Sequence, residues 1–326
     1  MSSLLKYLFI FFFGAVIVLC LGLIFWRLVW MKNSQETKKT SSASVDTSKK
    51  TLRLSLEKLQ PLDAGHFEVW VFYNDETRSL GKFQISKKGK LTDLSGKEIA
   101  GGEFKAEDDL SSARKIMITI EPEGDKNESP TQTVILEGNF LSGQAQLSFL
   151  EIDLSLASGK YVLETPSDPK KKDLKSGVWF VLPSGDGGMQ PSLNLPKLSA
   201  GFKYESWIIH QGLPLSCGRF SDPARPDETG RFLGKVAPPP YPGEDFLIDK
   251  SKTVPLTFPL NLADGATKVV VSAEPDVSDK DPTGDGPFQL QFLTGMIPEN
   301  AKALTPYDLI FDTITTFPKG IAKIES

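Results

Sequence analysis

Two cysteines and two histidines are all the thiol and imidazole in this chain of 326 residues. Cys20 lies in an apolar N-terminal run and Cys217 far beyond it, so no disulfide framework supports the fold. His66 and His210 have no HxH or HxxxH partner, which removes the usual zinc-ligand spacings. Nor is there a basic excess: 37 Lys and Arg against 41 Asp and Glu give −4, so no nucleic-acid partner is expected. GxSxG, Walker A, CxxC and dinucleotide-binding fingerprints are also missing. After residue 31 no stretch sustains a 3.6-residue apolar period, apart from short turns at 106–113 and 299–304. What remains is short β-branched and aromatic runs punctuated by 27 Gly and 23 Pro, a pattern that predicts an all-β fold of the sandwich type.

The one long apolar run, Tyr7 to Phe25, carries no charge. As a helix it covers roughly 28 Å, enough to span a hydrocarbon core. Trp26, Arg27 and Trp30 follow, the side chains expected at a membrane interface. Residues 1–31 are therefore predicted to be an uncleaved signal anchor that meets the lipid bilayer through residues 7–30, with Cys20 as apolar filler. Residues 32–50 are polar enough to form a flexible stalk, a tether of about 20–25 Å. Orientation is contested by the charges: Lys6 stands on one side, with Arg27, Lys32, Lys38 and Lys39 on the other. Taken alone, these would hold the globular part in the cytoplasm.

Self-comparison shows an internal repeat. Ala64-Gly65, Phe67-Glu68, Trp70 and Gly81-Lys82-Phe83 recur as Ala200-Gly201, Tyr204-Glu205, Trp207 and Gly218-Arg219-Phe220. Glu121-Pro122 and Pro130-Thr131 recur as Glu274-Pro275 and Pro282-Thr283, and the closing strands begin at Gly159 and Gly320. The expected domains are 51–166 and 174–326, joined by a lysine-rich link. In each unit the Trp-containing strand and the Gly-basic-Phe strand read as a hairpin, entered through an Ala-Gly turn in which Gly supplies positive φ.

These motifs, in this order, resemble the C-terminal domain of the anti-sigma-K factor family, here in tandem over nearly the whole globular region. The resemblance implies an extracytoplasmic module behind a transmembrane helix. It implies no sigma-binding part, since only six residues precede the apolar run. It carries no catalytic, cofactor-binding or metal-binding residues, and none are assigned.

Read residue by residue, the remaining candidates point the same way. His66 and His210 are expected in turn or strand-end roles. A Cys217–His210 pair across a hairpin is conceivable, but a small buried cysteine is the simpler expectation. The acidic run from Asp276 to Gly286 lacks the closing Glu of a calcium loop. Trp70 and Trp207 are either packing residues or platforms for a sugar. The segment 238–243, PPPYPG, reads as a rigid loop. The expected function is non-enzymatic binding, sensing or support at the cell envelope, with an envelope protein or glycan as ligand. A surface hydrolase or carbohydrate-binding protein is the alternative.

Overall fold

Alternation along the central strands decides which face becomes core. In the computed structural model, β2 (His66–Phe72) turns Phe67, Val69 and Val71 into the hydrophobic core, while His66, Glu68 and Trp70 take the opposite face. Its neighbour β6 (Lys115–Glu121) does the same with Ile116, Ile118 and Ile120 against Met117, Thr119 and Glu121. The period of two requires this division once one face is buried. In the second repeat β13 (Phe202–His210) and β16 (Lys268–Pro275) follow suit, with Tyr204, Ile208, Val269 and Val271 inward.

The structure describes residues 50–326 other than 75, 150–155, 171–173, 278–280, 312–315 and 326. The predicted anchor and all but the last residue of the stalk lie outside these residues. Among the described residues no helix is long and apolar enough to cross a membrane.

The described chain is all-β, as the sequence predicts. The other strands of the first repeat are β1 (Thr51–Glu57), β3 (Thr77–Ile85), β4 (Leu91–Thr92), β5 (Glu103–Lys105), β7 (Val134–Asn139), β8 (Gln144–Ser148) and β9 (Gly159–Leu163). Those of the second are β10 (Gly177–Trp179), β11 (Val181–Pro183), β12 (Met189–Pro191), β14 (Leu213–Phe220), β15 (Gly243–Asp245), β17 (Gln291–Met296), β18 (Tyr307–Phe311) and β19 (Lys319–Glu325). Two 3-10 turns, at Ala100–Gly102 and Leu110–Ser112, complete the first repeat, the second of them inside the short periodic stretch 106–113.

Every pairing between named strands is antiparallel, and the two large sheets have the same order. One runs β4-β3-β2-β6-β7-β8-β19-β1-β5 and the other β14-β13-β16-β17-β18-β9-β10-β15. From β3 and β14 onward these correspond strand for strand, β4 having no counterpart, except that the repeats have traded their last strands. β19 lies between β8 and β1, and β9 between β18 and β10. The sequence repeats and the sheets are thus different partitions of the chain: each sheet takes one strand from the other repeat. In the first sheet Phe104 on β5 packs edge-on against Phe83 on β3 at 5.8 Å, so the sheet curls until its two ends meet.

The crossovers pass through a shared aromatic cluster. Phe149 follows β8 and Phe317 precedes β19; their rings lie 5.8 Å apart, and both pack on Phe292 of β17, at 6.5 and 5.2 Å. Loop contacts between repeats are reciprocal, as in a two-fold dimer interface. Asp63 N donates to Pro282 O at 2.8 Å, and Thr133 Oγ1 donates to Gly201 O at 3.4 Å. One core cluster runs through both repeats, and Lys49–Ser326 forms a single compact unit.

The two Ala-Gly turns serve different ends. Gly65 has φ +76, as expected, and a Cβ there would lie 2.3 Å from Glu121 O. Gly201 is not in the left-handed region; it is needed because a Cβ would lie 2.4 Å from the backbone of Gln132 in the other repeat.

Candidate functional site: two matched clefts

The face opposite the core should be polar and wet, yet its central residues are buried. Glu68, Trp70, Thr119 and Glu121 are between 0% and 3% exposed, and Glu205, Trp207, Ser272 and Glu274 between 0% and 5%. Loops fold over them. Thr131, in the β6–β7 loop, donates its N–H to Glu121 Oε1 at 3.1 Å. The β16–β17 loop answers with Thr283 Oγ1 to Glu274 Oε2 at 3.1 Å and Phe288 N to Glu274 Oε1 at 2.8 Å. Without these bonds a buried carboxylate would cost roughly several kcal/mol.

The bonds repeat residue for residue. Trp70 Nε1 donates to Thr119 Oγ1 at 2.9 Å, and Thr119 donates to Glu121. Trp207 Nε1 donates to Ser272 Oγ at 3.1 Å, and Ser272 donates to Glu274. Alongside, Ser79 Oγ donates to Glu68 Oε1 and Ser216 Oγ to Glu205 Oε1, each at 2.5 Å.

Four β-bulges set this geometry, two per repeat at matched places. In β3, Leu80 is unopposed between Gly81 and Ser79, which shifts the register at Trp70; in β14, Cys217 does the same between Gly218 and Ser216 at Trp207. Ile135 and Phe292 are the unopposed residues beside Thr119 and Ser272. The bulges turn Cys217, Ile135 and Phe292 into the core and set the partly buried Leu80 against it, and each re-aims the residue beside it, a device common next to binding sites. The glycines following the first pair, Gly81 and Gly218, adopt φ 137 and 119.

Burial sets the protonation of these acids. It raises Glu121 and Glu205 above the usual carboxylate range, and Glu274 to about 7. For Glu205 the opposing pull of Arg219 and the Ser216 hydroxyl is the smaller effect.

Each network floors one side of an open cleft. The first, about 600 Å³, is bordered by Glu68, Trp70, Tyr73, Arg78, Ser79 and Asp108, among others. The second, about 540 Å³, is bordered by Glu205, Trp207, Ser216, Arg231, Thr253 and Asp281, among others. The tryptophans are only 1% and 5% exposed, so neither offers a ring face for stacking a sugar. They pack on the side of the sheet away from the main core, with the indole N–H as a structural bond.

The other sequence candidates separate. His66 Nε2 stands 3.8 Å from Glu68 Oε2 beneath the first cleft, and its pKa is lowered by burial and then by Lys82. His210 Nδ1 lies 2.7 Å from Thr267 Oγ1 and 3.4 Å from Asp264, and burial lowers its pKa too. His210 faces Leu213 at the hairpin turn, whereas Cys217 sits in the bulge roughly four residues, or about 13 Å, along the strand. No Cys–His pair forms; Cys217 is fully buried in the core, which pushes its thiol pKa up. In the acidic run, Asp276 pairs with Lys203 at 3.3 Å and Asp281 with Arg219 at 2.6 Å. Among the described residues no group of three or more His, Cys, Asp or Glu is placed to hold a metal ion. The 238–243 loop leads into β15, and Tyr241 donates its hydroxyl to Met189 O at 3.0 Å.

One cluster has no motif in the sequence. Where the ends of the second sheet meet, the hydrogen bonds to Asp227 and Glu244 among the described residues come from backbone N–H groups: Thr229 and Gly243 on Asp227, Phe232 and Asp245 on Glu244. Burial raises them to about 7 and about 8. The first repeat closes the same seam with Phe104 and Phe83, so self-comparison offers no signal for these acids.

Fold and clefts together define a class: an all-β tandem-repeat protein with exchanged strands and duplicated carboxylate–tryptophan sites. No protein family, no curated protein and no solved structure matches the chain.

Proposed function

We propose that this chain is a membrane-anchored, extracytoplasmic binding protein: two tandem sandwich-like β modules, on a stalk behind an N-terminal transmembrane helix, that engage an envelope partner through their matched clefts and catalyse no reaction. The observation that carries this reading is the duplication itself. Bulges, tryptophan, hydroxyls and carboxylates recur around an open cleft in both repeats, although packing alone would tolerate many other polar sets there. The carboxylates that border the clefts or underlie them are anchored as acceptors by neighbouring hydroxyls and backbone, which suits a rigid recognition surface better than a travelling proton.

The same residues are those that resemble the anti-sigma-K factor C-terminal domain. Its Phe/Tyr-Glu-x-Trp, Gly-basic-Phe, Glu-Pro and Pro-Thr elements supply Glu68, Trp70, Lys82, Glu121 and Thr131 of the first network. This resemblance supports the reading of a shared extracytoplasmic module.

Topology tests the reading. A Ser41→Cys variant on intact cells should react with a membrane-impermeant maleimide. Labelling only after permeabilisation would place the stalk in the cytoplasm and remove the envelope role.

A further inference from the structure

The two clefts differ at the glutamate that borders each of them. In the second, Arg219 Nε donates to Glu205 Oε2 at 2.7 Å and its other arm reaches Asp281 at 2.6 Å, so the carboxylate is saturated. In the first, Glu68 is 3% exposed and borders the cleft, and among the described residues its Oε2 has no hydrogen-bond partner. Lys82, the counterpart of Arg219, stops 3.6 Å from that oxygen and donates instead to Asp125 O at 2.9 Å. His66 is no closer, at 3.8 Å.

Charge around the first cleft points the same way. Glu107, Asp108 and Glu128 border it along with Glu68, against Arg78 and Lys105. Arg78 is already engaged by Glu76 at 2.9 Å. The cleft therefore has a surplus of negative charge and a buried acceptor in need of a donor, which in a desolvated site favours a charged N–H over a neutral hydroxyl.

Resting on the reading of the clefts as binding sites, we propose that the first cleft takes a cationic nitrogen, an ammonium or guanidinium group of its ligand, at Glu68. The second is the same site filled by the chain's own Arg219. The second repeat thus supplies an internal picture of the bound state, and an Arg/Lys exchange separates the occupied repeat from the open one.

The test uses the full chain in detergent micelles with its tryptophans labelled with nitrogen-15, the Trp70 and Trp207 indole signals being assigned from Trp→Phe variants. Ethylguanidinium, butylammonium and a blocked Gly-Arg-Gly peptide are titrated, with tetramethylammonium as a cation lacking N–H and glucose as a neutral donor. The Trp70 signal should shift saturably with the three N–H cations and not with tetramethylammonium, while Trp207 stays still. Saturation by the small cations and not by the peptide would assign the site to free amines; the reverse would assign it to a protein-borne side chain. Glu68→Gln and Lys82→Arg should each weaken the response roughly tenfold or more, as for loss of one charged hydrogen bond. Arg219→Lys should make Trp207 responsive. A Lys82→Arg protein that binds like the native chain would overturn the proposal, and so would silence at Trp70 with every cation. A response to glucose alone would overturn the ligand class and leave the cleft a binding site; silence with every probe would remove both.

Discussion

Arg53, in the first strand after the stalk, donates to the carboxylate of Glu325 in the last strand at 3.1 Å, across 272 residues of chain. The pair is exposed and worth little by itself. It marks the ladder in which β19 leaves its own repeat to lie beside β1, while β9 makes the opposite journey. Each repeat is therefore tied to the other by a whole strand and by the phenylalanine cluster at the crossovers.

Cutting the link between the repeats should accordingly not release them. With a protease site inserted between Lys170 and Leu174, the cleaved halves are expected to co-elute on a native sizing column and to part only in denaturant. Separation under native conditions would contradict the strand exchange. Truncation after Phe317 should strip hydrogen-exchange protection first from β1 and β8, which lie beside β19, rather than from β16 and β17.

The paired networks should be of similar worth. Trp70→Phe removes the donor to Thr119 and leaves a gap under the loop, and Trp207→Phe does the same at Ser272. Each is expected to cost about 1–3 kcal/mol in urea unfolding, with little change in slope. A loss at one site and none at the other would show that one network is decorative.

Much of this site was legible because duplication wrote it twice. Glu68, Trp70, Lys82, Glu121 and Thr131 all stand in motifs that recur, and strand alternation put Glu68 and Trp70 on one face. The hydroxyls of Thr119 and Ser272, two residues before the matched glutamates, were within reach of the same comparison. The strand exchange was not legible, because β9 and β19 are similar strands at similar places, and nothing local in a strand says which of two like sheets it will join. Asp227 and Glu244 were hidden for the opposite reason, having no counterpart in the first repeat. The tryptophans read as either packing residues or sugar platforms, and sequence alone did not show that they pack on the far side of the sheet.

Contact between the repeats depends on a missing side chain. A Cβ at Gly201 would meet the Gln132 backbone at 2.4 Å, while one at Gly89 meets nothing within 4 Å despite φ +74. Gly89→Ala should therefore cost only about 1 kcal/mol for its backbone conformation. Gly201→Ala, with no positive φ to blame, should cost clearly more, read as a drop in melting temperature and faster exchange of the Thr133 region. Equal effects of the two substitutions would mean that the loops yield without loss.

Stability should fall as pH rises from about 4 to about 8. Glu244, Asp227 and Glu274 have folded-state pKa values of about 8, about 7 and about 7, above the roughly 4 of an unfolded carboxyl. The folded state then binds more protons than the unfolded one, so these groups stabilise fully below the unfolded pKa and progressively less up to about pH 8. Glu244 alone should account for on the order of 2 kcal/mol between pH 6.5 and 8.5. His66 and His210 act in the other direction: their lowered values mean that the unfolded chain binds protons first, so their contribution is lost as pH falls from about 6.5 through their folded pKa. Between about pH 5 and 6.5 the three carboxyls outweigh the two imidazoles, so the melting temperature is expected to peak at about pH 4–5 and to drop by several degrees by pH 8.5. Glu244→Gln keeps an oxygen for the Phe232 N–H and carries no charge, so it should flatten the alkaline limb and leave the acid limb unchanged. An alkaline limb as steep as that of the native chain would show that Glu244 is not the group titrating there.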